Sequence, residues 1–434
     1  MNRQFKPDMS LSNRKQTLSS IRTTWLDVKR AMPRGSSAIE FITYEKRGEI
    51  YIGALVINKE SKSPVFVEIV SYDSLFNYPL ENGITLGEAL SSNESEMKNL
   101  IYRNLNLRNL IWNRKLINVI GQSKSIYFAA DDLLHLLAIE YLLPEKLERK
   151  PFYRMTSTRL LAERSHKQKI SNVLFCGGVN YESKEKEEGK NNDKVAYYRM
   201  SHEIMGLPYL SGSLTEVDSI SIYRNNPKDS ILVGMQASEG VLRNLLGKYS
   251  VIHLATHGYL SNSTSYTSDL IPASADEQLS NSCLFLAGAE SCMSNSSFSP
   301  DNYDGILSAR ELADQDLSHV SLVVLSACQS GLGYICTDGV YGLQRGLKTA
   351  GVKAIIASLW SVDDQATMLL MRKMYEYLGQ GNPLHEAFSK ARLYLKTATI
   401  EERYRRSQLP DLIVEKNFDD PMYSDAFILI DGNE

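Results

Sequence analysis

Continuous apolar runs punctuate the second half of this chain: "NVLFCGG" (172–178), "ILVG" (231–234), "VIHLAT" (251–256), "CLFLAG" (283–288), "LVVLSA" (322–327) and "AIIASLW" (354–360). Such runs are short for helices and lack the apolar–polar alternation of half-solvated strands. Between them lie stretches of helical spacing, at about 238–247, 340–350, 364–378 and 383–398. Strands apolar on both faces and separated by helices belong to a mostly parallel sheet covered on each side. This predicts an α/β unit over 171–434. Ser213 and Glu216 have capping-box spacing ahead of a helix carrying Leu214, Val217 and Ile220.

The first half reads differently. Residues 1–34 form a polar tail and one helix, with Ile21, Trp25, Val28 and Met32 on a single stripe and Pro33-Arg34-Gly35 as its stop. A smaller unit follows over 35–170. "AIEFITYE", "IYIGALVI" and "VFVEIV" predict an antiparallel meander. Two helical stretches, 86–103 and 105–117, then precede a strand at "SIYFAA" (125–130).

Composition narrows the partners. A formal net charge of −3 offers no basic footprint for nucleic acid, so no direct nucleic-acid binding is expected. No stretch of about 18 apolar residues predicts a membrane span. The opening "MNRQFKPDMSLSNRKQ" lacks the apolar segment of a secretory signal. Five cysteines, an odd number without any C-x-x-C pair, fit a reducing cytoplasm and neither a disulfide framework nor a zinc ribbon. Charged 183–194 and the Ser/Asn-rich 261–282 and 290–300 predict surface loops.

In an open parallel sheet, function collects at the carboxyl ends of the strands. Two strands here end in reactive residues: "VIHLATHG" in His257-Gly258, and "LVVLSAC" in Cys328 with glycines at 331 and 333. If the two strands are neighbours, thiol and imidazole face one crevice, which is the requirement for acyl transfer by a cysteine. The backbone N–H groups of Gly258 and Cys328 are then the expected oxyanion donors. A free cysteine after an apolar strand is commonly plain core packing, and a single histidine commonly just hydrogen bonded. The coincidence of both endings is what points to chemistry.

Rival chemistries lack their residues. Tyr334 stands where a cysteine-dependent phosphatase needs Arg, Leu254 stands where a zincin's Glu belongs between His253 and His257, and there is no G-x-S-x-G elbow. No metal and no cofactor is expected.

"HLATHG" (253–258), "DGILSARELADQDL" (304–317), "VVLSACQSGLG" (323–333), "DGVYGLQRGLKTAGVKAIIASLWSVDDQAT" (338–367) and "DPMYSDAFILIDG" (420–432) resemble the CHAT family of caspase-like cysteine peptidases. The likeness extends upstream through "SIYFAADDLLHLLAIEYLL" and "SGSLTEVDSI" to about Trp25. It implies a caspase-like αβα sandwich with a mostly parallel sheet over 171–434, preceded by a smaller pseudo-caspase-like α/β half over 35–170. It also implies His257 and Cys328 as the dyad. The 71 residues from His257 to Cys328 exceed the roughly 50 of caspases, and the Ser/Asn-rich insertions account for the excess. Many relatives carry tetratricopeptide repeats before this region, so a repeat or sensor protein is an expected partner, beside a protein substrate.

The "AIIASLW" strand is expected beside the cysteine strand, so Ser358 to Asp364 should line the pocket for the P1 side chain. Relatives place an aromatic in this loop, which assigns Trp360 to the pocket wall. Asp363 and Asp364, with Asp338 by resemblance, would make the pocket acidic and select Arg or Lys by a charge-assisted hydrogen bond. Alternatively, one of Asp363 and Asp364 caps the helix that begins near 364. The expected function is a cysteine endopeptidase acting on a particular protein, in bacterial defence or cell-death signalling. The alternative is a catalytically idle scaffold that binds a protein through the same groove.

Overall fold

The computed structural model describes residues 23–92, 94–163, 170–182, 206–260, 275–294, 303–336, 339–404 and 412–433. In chain order, β1 (Ser36–Lys46), β2 (Glu49–Asn58) and β3 (Val65–Ser71) form the expected antiparallel meander. β4 (Ser125–Ala129) and β5 (Phe152–Met155) extend it in parallel. The second half begins with β6 (Val173–Val179), β7 (Ser230–Gly234) and β8 (Val251–Ala255). Three short strands follow: β9 (Gly258–Leu260), β10 (Ser282–Phe285) and β11 (Ile306–Ser308). Then come β12 (Leu322–Ser326), the hairpin of β13 (Gly333–Cys336) and β14 (Gly339–Gly342), and β15 (Ala354–Ser358). A second hairpin, β16 (Thr399–Tyr404) with β17 (Leu412–Asn417), precedes the last strand, β18 (Phe427–Ile430).

One eleven-stranded sheet, mostly parallel, runs β3-β2-β1-β4-β5-β18-β15-β12-β8-β6-β7. The boundary near residue 170 therefore does not divide the sheet. β18 lies between the halves, antiparallel to β15 and parallel to β5. Asp431, just beyond it, accepts hydrogen bonds from the N–H and hydroxyl of Thr156. The last strand of the chain thus welds the meander onto the central strands.

Why the central runs are apolar throughout follows from the layers. Leu322 and Val324 of β12 pack on one side with Val217 and Ile220 of the Ser211–Arg224 helix and Leu370, Met371 and Met374 of the Asp364–Gly379 helix. Val323 and Leu325 pack on the other with Leu242 and Leu246 of the Glu239–Leu246 helix and Leu347 of the Leu343–Thr349 helix. Burying each such side chain is worth about 2 kcal/mol, and neither face of the sheet meets water here. The result is an αβα sandwich.

Three expectations need correction. "CLFLAG" does not enter the main sheet: β10 sits in a separate antiparallel sheet between β9 and β11. Its apolar side chains fill the space under that small sheet, which gives the same run of hydrophobes as a central parallel strand. The stretches 86–103 and 105–117 are four short helices, Leu86–Ser91, Ser95–Tyr102, Leu105–Ile111 and Arg114–Ile120. Thr85, Asn104 and Asn113 each cap a new start with their side chains. Ser213 and Glu216 do not form a capping box. The helix already begins at Ser211 with Leu210 at its N-cap, so both lie inside it.

Candidate active site

The strands β8 and β12 are parallel neighbours in a register that ends with Ala255 opposite Ser326. His257 and Cys328 each stand two residues beyond those last paired positions. Two strand ends in step therefore deliver the two side chains to one place, and both line a cleft of about 110 Å³.

The turn that carries the thiol is tied on its β15 side. Gln329, directly after Cys328, takes a left-handed φ of 55°, a conformation that costs a non-glycine residue unless neighbours hold it. Ser330 supplies part of that hold: its hydroxyl donates to the Leu325 carbonyl (3.1 Å) and accepts from the Ser358 N–H (3.1 Å). The Gly331 N–H donates to the Ser358 carbonyl (2.7 Å), and the Ser358 hydroxyl donates to the Ala327 carbonyl (2.7 Å). Cys328 itself is exposed, whereas Cys176 and Cys283 are buried and burial drives both thiols up, Cys176 to about 12.

His257 is half-buried and oriented by backbone. Its Nε2 lies 2.8 Å from the Pro208 carbonyl. A carbonyl only accepts, so Nε2 carries the hydrogen and Nδ1 of the neutral ring keeps the lone pair. The ring also packs on Tyr181, with centroids 5.0 Å apart. The next residue has to be small. A Cβ at Gly258 would stand 2.7 Å from the Cys328 carbonyl oxygen and 3.3 Å from the Ala327 Cβ. The Phe285 N–H donates to the His257 carbonyl (3.0 Å), and Leu284 is opposite Gly258. Antiparallel ladders alternate, so Gly258 falls in a non-hydrogen-bonded pair and its N–H points away from β10.

The predicted pocket residues separate into distinct places. Ser358 is buried and lines the cleft. Asp364 lines it too, at the start of its helix, and makes no hydrogen bond or ion pair within the described residues. Burial, then the carboxylates of Asp363 and Glu216, hold the Asp364 carboxyl above the usual range, and His257 pulls it the other way. Gly212 permits this packing, since a Cβ there would meet Asp364 Oδ2 at 2.5 Å. Asp363 is engaged elsewhere: one oxygen caps the N–H groups of Gln365 and Ala366, and the other meets Lys416 Nζ at 2.7 Å.

Trp360 is away from the cleft, in the core. Its indole packs on Tyr102 with centroids 5.2 Å apart, and its N–H donates to the Met422 carbonyl (2.9 Å). The large ring fills the seam between the halves, where a single carbonyl satisfies its one donor. Asp338 and the charged stretch 183–194 lie outside the described residues.

The sequence reading did not single out Pro208 or Tyr181, and it did not join Glu216, Ser326 and His253 into a trio. The Ser326 hydroxyl donates to Glu216 Oε2 (3.0 Å), and His253 Nε2 lies 2.7 Å from Glu216 Oε1. A buried histidine in an otherwise apolar strand was the available signal for this trio. Pro208 acts through its backbone and left no side-chain signal at all.

The profile of the CHAT domain matches residues 105–430. Tetratricopeptide repeat protein 28 of Mus musculus is 36% identical over 76 residues, which are 18% of this chain and 3% of that protein. The Saccharomyces cerevisiae separase in its complex with securin superposes with a TM-score of 0.54 at 10% identity, over 96% of this chain and 31% of that one. The Arg-specific cysteine proteinase gingipain R gives a TM-score of 0.38 at 8% identity, over 75% of this chain and 66% of its own. The chain thus spans about a third of the separase chain and a small fraction of the mouse protein. The separase likeness is one of fold, and the fold is caspase-like.

Proposed function

The chain belongs to the CHAT-domain family, and from that premise we propose that it is a cysteine endopeptidase working through Cys328 and His257. The observation that carries this is the register of β8 and β12, which brings an exposed thiol and a tautomer-locked imidazole to one cleft. His257 Nδ1 takes the thiol proton, and Cys328 Sγ attacks the scissile carbonyl carbon. The oxyanion that forms meets the N–H groups of Gly258 and Cys328, each such donor contributing about 3 kcal/mol. The imidazolium then protonates the leaving amine, and water hydrolyses the thioester with the same base.

The substrate is a protein cut after Arg or Lys. Of the acidic candidates, Asp363 is engaged in a cap and an ion pair. Asp364 combines a place in the cleft with a carboxylate that has no hydrogen-bond or ion-pair partner among the described residues, and a P1 cation would hold it ionised by a charge-assisted bond. A fluorogenic library varied at P1 tests this. Basic P1 residues should lead, and Asp364→Asn should lower kcat/KM for them by roughly 10- to 100-fold while sparing apolar P1 residues. Preference for Asp or small apolar residues in the wild type would overturn the assignment.

The setting is cytoplasmic, in bacterial defence or cell-death signalling, with a repeat or sensor protein as activator. Among the described residues no helix is long and apolar enough to cross a membrane. The mouse relative is by name a repeat protein and the separase structure holds securin, which fits a protease governed by protein partners. An idle scaffold would show no His257-dependent alkylation at Cys328.

A further inference from the structure

Beneath the cleft, one carboxylate touches both strands that end in the dyad. Glu216, buried in the Ser211–Arg224 helix, accepts from His253 on β8 with one oxygen and from Ser326 on β12 with the other. His253 precedes His257 by four residues, and Ser326 precedes Cys328 by two. The other nitrogen of His253 lies 3.2 Å from the Tyr375 hydroxyl of the Asp364–Gly379 helix. The segment leading into Glu216's own helix carries Pro208, whose carbonyl orients His257.

The backbone ladder between β8 and β12 ends at Ala255 opposite Ser326. Beyond that point no rung between the two strands holds the turns that carry His257 and Cys328, so those turns depend on how firmly the last rungs are held. Toward β15 the cysteine turn is tied through Ser330 and Ser358. On the helix side Glu216 holds the last rungs themselves, at His253 opposite Val324 and at Ser326 opposite Ala255. A buried carboxylate loses several kcal/mol of hydration and offers a core nothing that an apolar residue would not supply better. What it does offer is fixed geometry toward two donors at once.

We propose that Glu216 is a positioning residue: by gripping Ser326 and His253 together it pins the last rungs of the two strands to the Ser211–Arg224 helix, and with them the His257–Cys328 geometry. Its effect on turnover rests on the peptidase reading; its effect on thiol reactivity does not. A displacement of about 1 Å at such a site can cost on the order of 100-fold in rate.

The experiment measures two things in Glu216→Ala, Glu216→Gln and Ile220→Val. The first is the second-order rate of iodoacetamide alkylation at Cys328, read by mass. The second is kcat and KM on the best library peptide. Ile220 is equally buried on the same helix and has no polar side-chain atom with which to join the carboxylate's hydrogen bonds or the dyad. The Glu216→Ala variant should lose roughly 10- to 100-fold in alkylation rate and kcat with KM within about twofold. Glu216→Gln keeps one acceptor oxygen and should recover part of the loss, whereas Ile220→Val should leave both rates within about twofold. Glu216 variants that match Ile220→Val in both rates would overturn the proposal. If Glu216→Ala does not fold, Glu216→Gln and Ser326→Ala, each removing part of the grip, decide by the same rates. Wild-type protein that alkylates in a His257-dependent way yet cleaves no peptide refutes the peptidase reading, and the alkylation arm still judges Glu216.

Discussion

Replacing Gly258 by alanine puts a single methyl group into the tight contact between β9 and the thiol turn. The added Cβ would stand 2.7 Å from the Cys328 carbonyl oxygen, whereas carbon–oxygen contacts relax to about 3.3 Å. The turn or β9 must therefore yield by roughly half an ångström. The turn resists, because Ser358 and Ser330 hold Ala327 and the residues after Cys328. Gly258 has no left-handed φ, so the backbone itself tolerates alanine and the perturbation is purely steric. Overpacking of this kind costs about 1–3 kcal/mol in a rigid interior, and this half-exposed place should fall at the lower end. Catalysis should suffer more than stability. Moving the Gly258 N–H off the oxyanion forfeits up to about 3 kcal/mol of the barrier, close to a 100-fold loss of rate. Steady-state kinetics on the preferred P1 peptide should therefore show kcat down by 10- to 100-fold with KM within about twofold, and thermal unfolding only a few degrees lower. A Gly258→Ala enzyme that keeps kcat within about threefold of wild type would refute the reasoning, since the methyl group cannot enter without moving either the thiol turn or the donor.

Asp363→Ala should lower the denaturant midpoint by the equivalent of about 1 kcal/mol, through loss of the helix cap to Gln365 and Ala366. It should leave P1 preference unchanged; a change in P1 preference as large as that from Asp364→Asn would undo the distinction drawn between the two. Lys98 is buried, and its ammonium donates to the carbonyls of Ala89, Leu90 and Ser92 at 2.8–3.1 Å. Burial pulls its pKa down to about 8. In the unfolded chain it titrates near 10.5, so between those values the unfolded state binds more protons and stability rises with pH. Wild type should gain on Lys98→Met across that window by on the order of 3 kcal/mol. Urea midpoints of the two proteins that keep a constant difference from pH 8 to 10.5 would count against it.

How far the site was legible depends on whether backbone or side chain carries the information. Cys328 and His257 could be found because each terminates an apolar run, and parallel strands in register bring their ends together. Pro208 could not be found, because the group that matters is a carbonyl every residue possesses. Asp363 and Asp364 are neighbours of identical type, and only the cap geometry of one helix start decides which is engaged and which faces the cleft. Trp360 was assigned to the pocket from its loop, whereas the seam between the halves had room for an indole. The seam itself could not be anticipated, since it exists only because β18 returns to pair with β5 and β15.

Glu216 shows the sharpest form of the ambiguity. A serine followed three residues later by a glutamate is the pattern of a capping box, and it is equally the i, i+3 spacing that puts two polar side chains on one helix face. Local spacing does not separate these cases; burial does. At a helix start the carboxylate keeps much of its water and the pattern stabilises by about 1 kcal/mol. Inside the helix the same carboxylate is stripped of water and requires partners from other elements. Here they are His253 and Ser326, each read separately as part of a β-strand. His253, a buried imidazole in the apolar run "VIHLAT", itself demanded a partner. The need for that partner was therefore visible in the chain, and only the fold could show that the carboxylate supplying it also reaches the strand that carries Cys328.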